Sequence, residues 1–272
     1  MTSKYDLHIH SSFSDGTDSP EAIVKKAKSL GIENISITDH DTIKGVTEGK
    51  EFAKKAGINF VNGVELSTFS KMEVHILGYG FDANNDQFNT TLNEFSEKRR
   101  ARVKKILDLL AKQKIYISEE DLVDSDSIGR LHVANALVKK GYVGSIPEAF
   151  DRYLGAKGCA YLPSMRITPF QGIEIIKNAG GIPVIAHPLR FYQTKILNDL
   201  IEGLKKFGLG GLEVYYNTHD EQTKKELFEI AQKYKLIATG GTDYHGKNRN
   251  LEMGSVVWEP DQFTSKKLHL RR

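Results

Sequence analysis

His8 and His10 open the chain two residues apart, and a carboxylate, Asp15, closes the same run, YDLHIHSSFSDGT. Tyr5 to Ile9 reads as a short apolar strand, and side chains at i and i+2 of a strand share one face, so both imidazoles point the same way. Further groups of the same kind follow: the ThrAspHis of 38–40, Glu65, His75, the AlaHisPro of 186–188 and the ThrAspTyrHis of 242–245. Each lies in or just after an apolar, β-branched run. The candidate ligands are therefore His8, His10, Asp15, His40, Glu65, His75, His187, Asp243 and His245, with Asp39 adjacent and less well placed. They include six of the nine histidines in the chain. Imidazole mixed with carboxylate suits Zn²⁺, Mn²⁺ or Fe²⁺ better than Ca²⁺ or a thiolate-bound metal. So many ligands exceed the needs of one ion and would suit two or three ions sharing a bridging carboxylate. Clustered ions can bind phosphoryl oxygens and activate water near neutral pH. Taken alone, any of these histidines would more readily be a hydrogen-bonded core residue. The case rests on their joint recurrence at strand ends, where a barrel carries its chemistry.

The elements that must bring these residues together are legible as a strand–helix rhythm. Strand 5–10 leads to a helix with Ser19 as N-cap, Pro20 at N1 and Gly31 past its end. Strand 34–38 leads to a helix from Val46 to Lys55, closed by Gly57. Strands 58–66 and 72–81 follow. The rhythm resumes with helix 169–178 and strand GIPVIA, helix 195–207 and strand GLEVYY, and helix 221–234 and strand KLIATGG, with a last strand, GSVVW, near the C-terminus. Alternation of this kind predicts an α/β fold with parallel pairing and right-handed crossovers, and seven or eight strands favour a closed barrel over an open sheet.

The 272 residues can form one such barrel and bury a sizeable core. The net charge of +3 gives no composition-level argument for nucleic acid, and a single cysteine, Cys159, excludes an intramolecular disulfide. No stretch has the length and apolarity of a bilayer span. No signal peptide is expected before ligands at position 8. The expected location is the cytoplasm, with no membrane attachment and no obligate protein partner.

Residues 85–164 interrupt the rhythm with helices at 87–112, near 119–123, at 130–140 and at 146–153. They are expected to form a helical subdomain over the barrel mouth, so that residues 1–84 and 165–272 make the barrel. In the segment SIGRLHVANALVKKGY, Gly129 near an N-cap would put Arg130 and His132 in the first turn, where free N–H groups and a guanidinium make an anion site. Arg130 as a solvated helix residue and His132 as ordinary surface is the competing reading. Arg99 falls inside the apolar stripe Leu92, Phe95, Val103, Ile106 and Leu110. A charge facing inward is costly unless paired or solvated, so Arg99 either reaches a substrate phosphate or pairs with an internal carboxylate. Lys98, Arg100, Arg102, Lys104 and Lys105 read as a solvated face rather than a nucleic-acid track.

The motifs HIHSSFSDG, ITDHDT, GVELS, VHILGYG, IAHPLR and TGGTDYHG resemble those of the PHP (polymerase and histidinol phosphatase) family, in family order along nearly the whole chain. The resemblance implies a distorted (β/α)₇ TIM-like barrel and a trinuclear centre of divalent transition metals, Mn²⁺ first, with Fe²⁺ or Zn²⁺ as alternatives. It places His8, His10, Glu65 and Asp243 on one ion. Glu65 would bridge to a second ion, held also by His75 and His187, and Asp15, His40 and His245 would hold the third. Some relatives carry histidine where this chain has Asp15. Glu65, Asp15, His187 and His245 are the groups expected to act in catalysis. The insertion with its IGRxHxA segment resembles the subgroup that removes phosphate from nucleoside 3′,5′-bisphosphates and degrades short RNA 5′–3′. Arg130 and His132 match that segment, and Arg99 joins them as an expected substrate-binding residue. The implied substrate is a phosphorylated nucleotide or short oligonucleotide. Histidinol-phosphate phosphatase is the alternative within enzymes, and a non-catalytic metal-binding module the alternative outside them.

Overall fold

The computed structural model describes residues 4–70, 72–122, 125–163, 167–190 and 194–271. Three parallel strands, β1 (Tyr5–Ile9), β2 (Asn34–Ile37) and β3 (Asn59–Phe60), form one sheet. Between them run α1 (Pro20–Ser29) and α2 (Lys44–Ala56). The Ser19 side chain caps α1 by accepting from Ala22 N at 3.2 Å, with Pro20 at N1. Gly57 ends α2 in the left-handed region at φ 73°, where a residue without Cβ is at ease.

The second sheet has the order β4 (Gly63–Ser70), β5 (Met72–Tyr79), β6 (Ile182–Ile185), β7 (Gly211–Tyr215) and β8 (Ile237–Gly240). Helices α6 (Pro169–Asn178), α7 (Thr194–Lys205) and α8 (Glu221–Lys233) alternate with its later strands. The main apolar core lies between this sheet and these helices and includes Leu66, Ile76, Ile173, Ile185, Leu212 and Leu227. Two isolated parallel bridges link the sheets: Ile9 with Tyr244 beyond β8, and His40 beyond the central strand β2 with Glu65 in β4.

Three features depart from the sequence expectation. β5 runs antiparallel to both β4 and β6. A parallel pair needs a crossover of a dozen or more residues, and β4 ends at Ser70 where β5 begins at Met72, so only a hairpin is possible. The run 58–66 splits into β3 and β4, because Asn62 leaves the ladder and donates its side chain to Phe81 O at 2.9 Å. GSVVW is not a strand: Val256 and Trp258 are buried among Tyr5, Leu77, Val184 and Ile237, while Val257 is exposed. Its alternation records side chains plugging one end of the core, with the Trp258 indole donating to Tyr5 O at 3.2 Å, rather than a backbone in a ladder. A helix that the pattern did not predict, α9 (Gln262–Leu268), follows it.

The interrupting segment contains α3 (Asp86–Lys112), a single 3₁₀ turn at Glu119–Asp121, α4 (Arg130–Lys139) and α5 (Ile146–Ala149). The chain continues from α5 into a π-helical turn at Phe150–Leu154. Val123, the expected end of the short turn, and the expected boundary at 164 and 165 lie outside the described residues. The segment has an apolar cluster of its own, built on Val103, Ile106, Leu110, Val133, Leu137 and Leu154. Among the described residues, no helix is long and apolar enough to cross a membrane.

Candidate metal centre

All nine candidate ligands converge at one end of the strands. His8 and His10 are fully buried. His8 Nδ1 donates to Glu213 Oε1 at 2.9 Å, which turns Nε2 toward Glu65 Oε2 and Asp243 Oδ1, each at 3.4 Å. His10 Nε2 faces the same two carboxylates at 3.1 and 3.3 Å. His245 Nδ1 donates to the Asp243 carbonyl at 2.7 Å and leaves Nε2 3.2 Å from Asp15 Oδ1. His40 Nδ1 lies 3.3 Å from Glu65 Oε2, and its Nε2 lies 3.8 Å from Asp15 Oδ2. The other Glu65 oxygen meets His75 Nδ1 at 2.8 Å and His187 Nε2 at 3.0 Å.

Three groups of donors could each hold an ion, and His187, expected beside Glu65 and His75, falls in none of them although its Nε2 meets Glu65. His8, His10, Glu65 and Asp243 offer ligand atoms within 4.8 Å of one another, as do His10, Asp15, His40 and His245, and again His40, Glu65 and His75. Buried polar atoms are almost always hydrogen-bonded. Here Nε2 of His8, His10 and His245 and Nδ1 of His40 are buried without a hydrogen-bond partner among the described residues. Ring nitrogens aimed at a cluster of carboxylates without hydrogen-bond partners are what a divalent cation satisfies once it displaces any protons they carry, so the residues fit a metal centre.

Burial alone would raise the Glu65 carboxyl, but His40, His75 and His8 outweigh it and hold the group well below the usual carboxylate range. Asp243 is likewise depressed against the cost of burial, by His8, His245 and the paired Arg249 among others. Desolvation opposes the charged His10 and His75 rings, yet the surrounding carboxylates lift both to about 9. Burial wins at His40, which falls to about 3.

Side chains behind the ligands fix them. Glu213, buried in β7, accepts from His8 Nδ1 and, through its other oxygen, from His187 N at 2.6 Å, so one carboxylate orients two ligands. The Tyr216 hydroxyl donates to Asp243 Oδ2 at 2.8 Å, where Arg249 also pairs. Asp39 accepts from Ser11 N, Ser11 Oγ and Ser14 Oγ at 2.6–2.7 Å, which shapes the first loop and leaves Asp39 outside the ligand cluster. His187 and Asp243 stand at φ 26° and 55°, a costly backbone for residues with a Cβ and one that clusters at functional sites. A Cβ at Gly241 would come within 2.5 Å of His8 N, so only glycine lets β8 approach β1 this closely.

A cavity of about 290 Å³ opens onto the cluster through Asp15, His40 and His75. Arg99, Arg102, Arg130 and Arg249 surround it, with the start of α4 at Gly129. Arg130 is the first helical residue of α4; its Nη1 donates to Leu154 O at 3.2 Å, and its guanidinium lies 5.6 and 5.7 Å from the Phe150 and Tyr161 rings. Arg99 pairs with Asp41 and donates to Ser67 Oγ at 2.9 Å, so the internal carboxylate is present, yet the side chain still lines the cavity. His132 spends both ring nitrogens: Nδ1 accepts from Gly129 N at 3.1 Å and Nε2 donates to Ser14 O at 2.9 Å. It ties the insertion to the first ligand loop, a link reinforced by Ser125 Oγ on Phe13 O and Ser14 O at 3.0 and 2.8 Å.

The PHP domain profile matches residues 6–98. The chain is 36% identical to the 5′-3′ exoribonuclease of Haemophilus influenzae, over 95% of this chain and 99% of that one. The chain belongs to the PHP family. It is also 30% identical to the 3′,5′-nucleoside bisphosphate phosphatase of Chromobacterium violaceum, over 88% of this chain and 86% of that one. A Bifidobacterium adolescentis structure assigned as a metal-dependent phosphoesterase superposes with a TM-score of 0.86 at 29% identity, covering 97% of this chain and 94% of that one. As a PHP protein the chain is a metal-dependent hydrolase acting on phosphoric ester bonds, with an α/β fold matching the solved PHP phosphoesterases.

Four side chains at the cluster or its cavity, Glu213, Tyr216, Arg249 and Arg102, were not among the site candidates read from the sequence, which took Arg102 as part of a solvated face. Glu213 was findable, since a carboxylate inside the apolar run GLEVYY must have a partner. Arg249 carries no such signal, because only the fold of the loop after His245 turns it inward.

Proposed function

We propose that this enzyme hydrolyses the 3′-phosphate ester of 5′-phosphorylated nucleotides, acting on nucleoside 3′,5′-bisphosphates and on the 5′-terminal nucleotide of short RNA. The two activities break the same bond. In a bisphosphate the 3′-O–P bond leads to a free phosphate, and in an oligonucleotide it leads to the next nucleotide. Cleavage leaves a nucleoside 5′-monophosphate in both cases, and in the second the shortened strand again starts with a 5′-phosphate.

The observation that carries this reading is a single cavity that reaches the ligand cluster through Asp15, His40 and His75 and is also lined by the start of α4 with three further arginines. One part is the ligand cluster. The other is the start of α4 with Arg130, near Arg99 and Arg102, where a helix N-terminus and guanidinium groups favour a phosphate. That pairing suits a substrate with one phosphate at the reacting centre and one held away from it. The relatives named above support the nucleotide class.

Two or three divalent ions, with Mn²⁺ the first expectation, would be held by His8, His10, Asp15, His40, Glu65, His75, His187, Asp243 and His245. When bound they would supply Lewis acidity to the phosphoryl oxygens and an activated water. The protein residues do the rest. Glu65 offers one oxygen to the His8, His10 and His40 side and the other to the His75 and His187 side, which suits it to bridge two ions. Asp15, which lines the cavity, and the buried His245 would share an ion with His40. Arg249 pairs with Asp243 and helps to keep it charged. Arg130 fixes the distal phosphate, aligning the ester before reaction. His132 keeps α4 docked on the ligand loop. Residues 85–164 act as a cap on a barrel formed by 1–84 and 165–272, a reading that the isolated bridges Ile9–Tyr244 and His40–Glu65 between the two sheets support. A cytoplasmic location agrees with its nucleotide substrates.

The test is a panel on the Mn²⁺-loaded protein: nucleoside 3′,5′-bisphosphates, 5′-phosphorylated oligoribonucleotides, the same oligomers with a 5′-hydroxyl, and histidinol phosphate. Turnover of the first two, with weak turnover of the 5′-hydroxyl oligomers, is expected. Preference for histidinol phosphate would reverse the assignment.

A further inference from the structure

A second cavity, of about 320 Å³, adjoins the first, and Ser67, Arg99 and Arg102 line both. Its apolar wall is Phe95, Leu162, Pro163 and Ile167. Its basic rim comes from α3. Phe95, Lys98, Arg102 and Lys105 fall at i, i+3, i+7 and i+10, one face of that helix, and extend about 15 Å at a rise of 1.5 Å per residue. Lys98 and Lys105 are exposed. Lys98 Nζ lies 6.0 Å from the Phe95 ring centroid and 3.3 Å from Glu94 Oε2, and Arg102 Nε donates to Leu162 O at 3.1 Å. Asp41 is the one carboxylate among the described lining residues, and Arg99 already pairs with it.

A solvated basic face has no need of an apolar wall, and an apolar ligand has no need of a row of cations. An aromatic ring beside cations spaced along a helix, continuous with a phosphoesterase centre, matches what binds single-stranded nucleic acid: a surface on which a base stacks and charges that track the backbone. We propose that this cavity holds the second nucleotide of a 5′-phosphorylated single strand, with its base against Phe95 and its downstream phosphate at Lys98 and Lys105. The inference rests on the nucleotide phosphoesterase reading and deepens it, since it gives oligonucleotides a subsite that a bisphosphate leaves empty.

The experiment measures binding of a fluorescein-labelled 5′-phosphorylated oligoribonucleotide pentamer to the Mn²⁺-loaded protein. The pentamer carries phosphorothioate links to block cleavage, and anisotropy is followed from about 50 to about 300 mM KCl. Turnover of the ordinary pentamer and of adenosine 3′,5′-bisphosphate is followed alongside. Lys98→Ala/Lys105→Ala should lower the slope of log affinity against log salt by about 0.7, the value for one single-strand phosphate contact, and leave bisphosphate turnover within about twofold. Phe95→Leu should weaken pentamer binding roughly 5- to 150-fold by removing a stacking face, whereas Phe95→Tyr should retain it. An unchanged slope in the double variant overturns the proposal, as does failure of the wild-type protein to bind the pentamer. An equal loss on the bisphosphate also overturns it, because the cavity would then serve the mononucleotide's own phosphate. If the wild-type protein turns over neither substrate, the functional reading falls, while the slope difference still decides the subsite.

Discussion

Replacing Glu213 by glutamine changes no ligand and almost no volume, yet it should cost the centre much of its metal affinity. The carboxylate accepts twice, from His8 Nδ1 at 2.9 Å and from His187 N at 2.6 Å. An amide can accept at one end only. If its oxygen faces His8, its NH₂ opposes the His187 N–H, and a buried donor is left unpaired. If it flips, His8 must accept at Nδ1 and carry its proton on Nε2, the atom aimed at Glu65 and Asp243, which would block ligation. Either arrangement forfeits an orienting bond behind a ligand, a loss that typically lowers metal affinity or activity 10- to 100-fold, or about 1.4–2.7 kcal/mol. An unpaired buried donor alone costs about 1–3 kcal/mol, in the same range. Titration of the metal-free Glu213→Gln protein against a competing chelator should show the dissociation constant raised by that factor, with the circular-dichroism spectrum unchanged. Wild-type affinity in the variant would refute the argument that Glu213 sets the tautomer of His8.

Arg130→Ala should lower kcat/KM for a nucleoside 3′,5′-bisphosphate by roughly 10- to 150-fold, the loss of a charge-assisted hydrogen bond of about 1.5–3 kcal/mol. It should change p-nitrophenyl phosphate turnover far less, and equal losses would put Arg130 at the reacting phosphate. Chelator treatment should abolish turnover, and reloading with Mn²⁺, Fe²⁺ or Zn²⁺ should restore two or three ions per chain by elemental analysis; one ion or none would contradict the cluster. In the metal-free protein the carboxylates overcome desolvation and hold His10 and His75 protonated up to about 9. Ions must displace those protons, so metal affinity should rise with pH toward that value and fall below it, with net proton release at neutral pH in calorimetry across buffers of different ionisation enthalpy. Cys159 is exposed and lies in the insertion, so Cys159→Ser should leave turnover unchanged, whereas Glu65→Gln should remove most of it.

The ligand set was legible because metal chemistry demands residue types that cores otherwise avoid, and because strand ends are marked by apolar runs on one side and polar loops on the other. The α1 and α2 boundaries were legible through Ser19, Pro20 and Gly57, whose side chains or backbone freedom act locally. What failed was non-local. Nothing in the composition of 72–79 distinguishes an antiparallel strand from a parallel one, and only the single residue between Ser70 and Met72 decides it. GSVVW has the alternation of a strand, but pairing depends on whether a neighbour offers a free edge. His132 lines the cavity, as its place in the first turn of α4 leads one to expect, while the bond of its Nε2 to Ser14 O, in a loop more than a hundred positions earlier, has no local signal.

The bridge between Ile9 and Tyr244 and the approach of Gly241 to His8 bear on how the protein is made. β1 leaves the ribosome before the other strands described, and its second neighbour, Tyr244, follows more than two hundred residues later. Until then the strand carrying His8 and His10 has one margin of backbone groups unmatched, an edge prone to pairing with other chains. No nascent fragment that ends before residue 243 can assemble the full ligand set, since it lacks Asp243 and His245. Ion loading is thus coupled to the emergence of residues 243–245, and a chain cut short before them would expose two histidines and an open strand without the full ligand set.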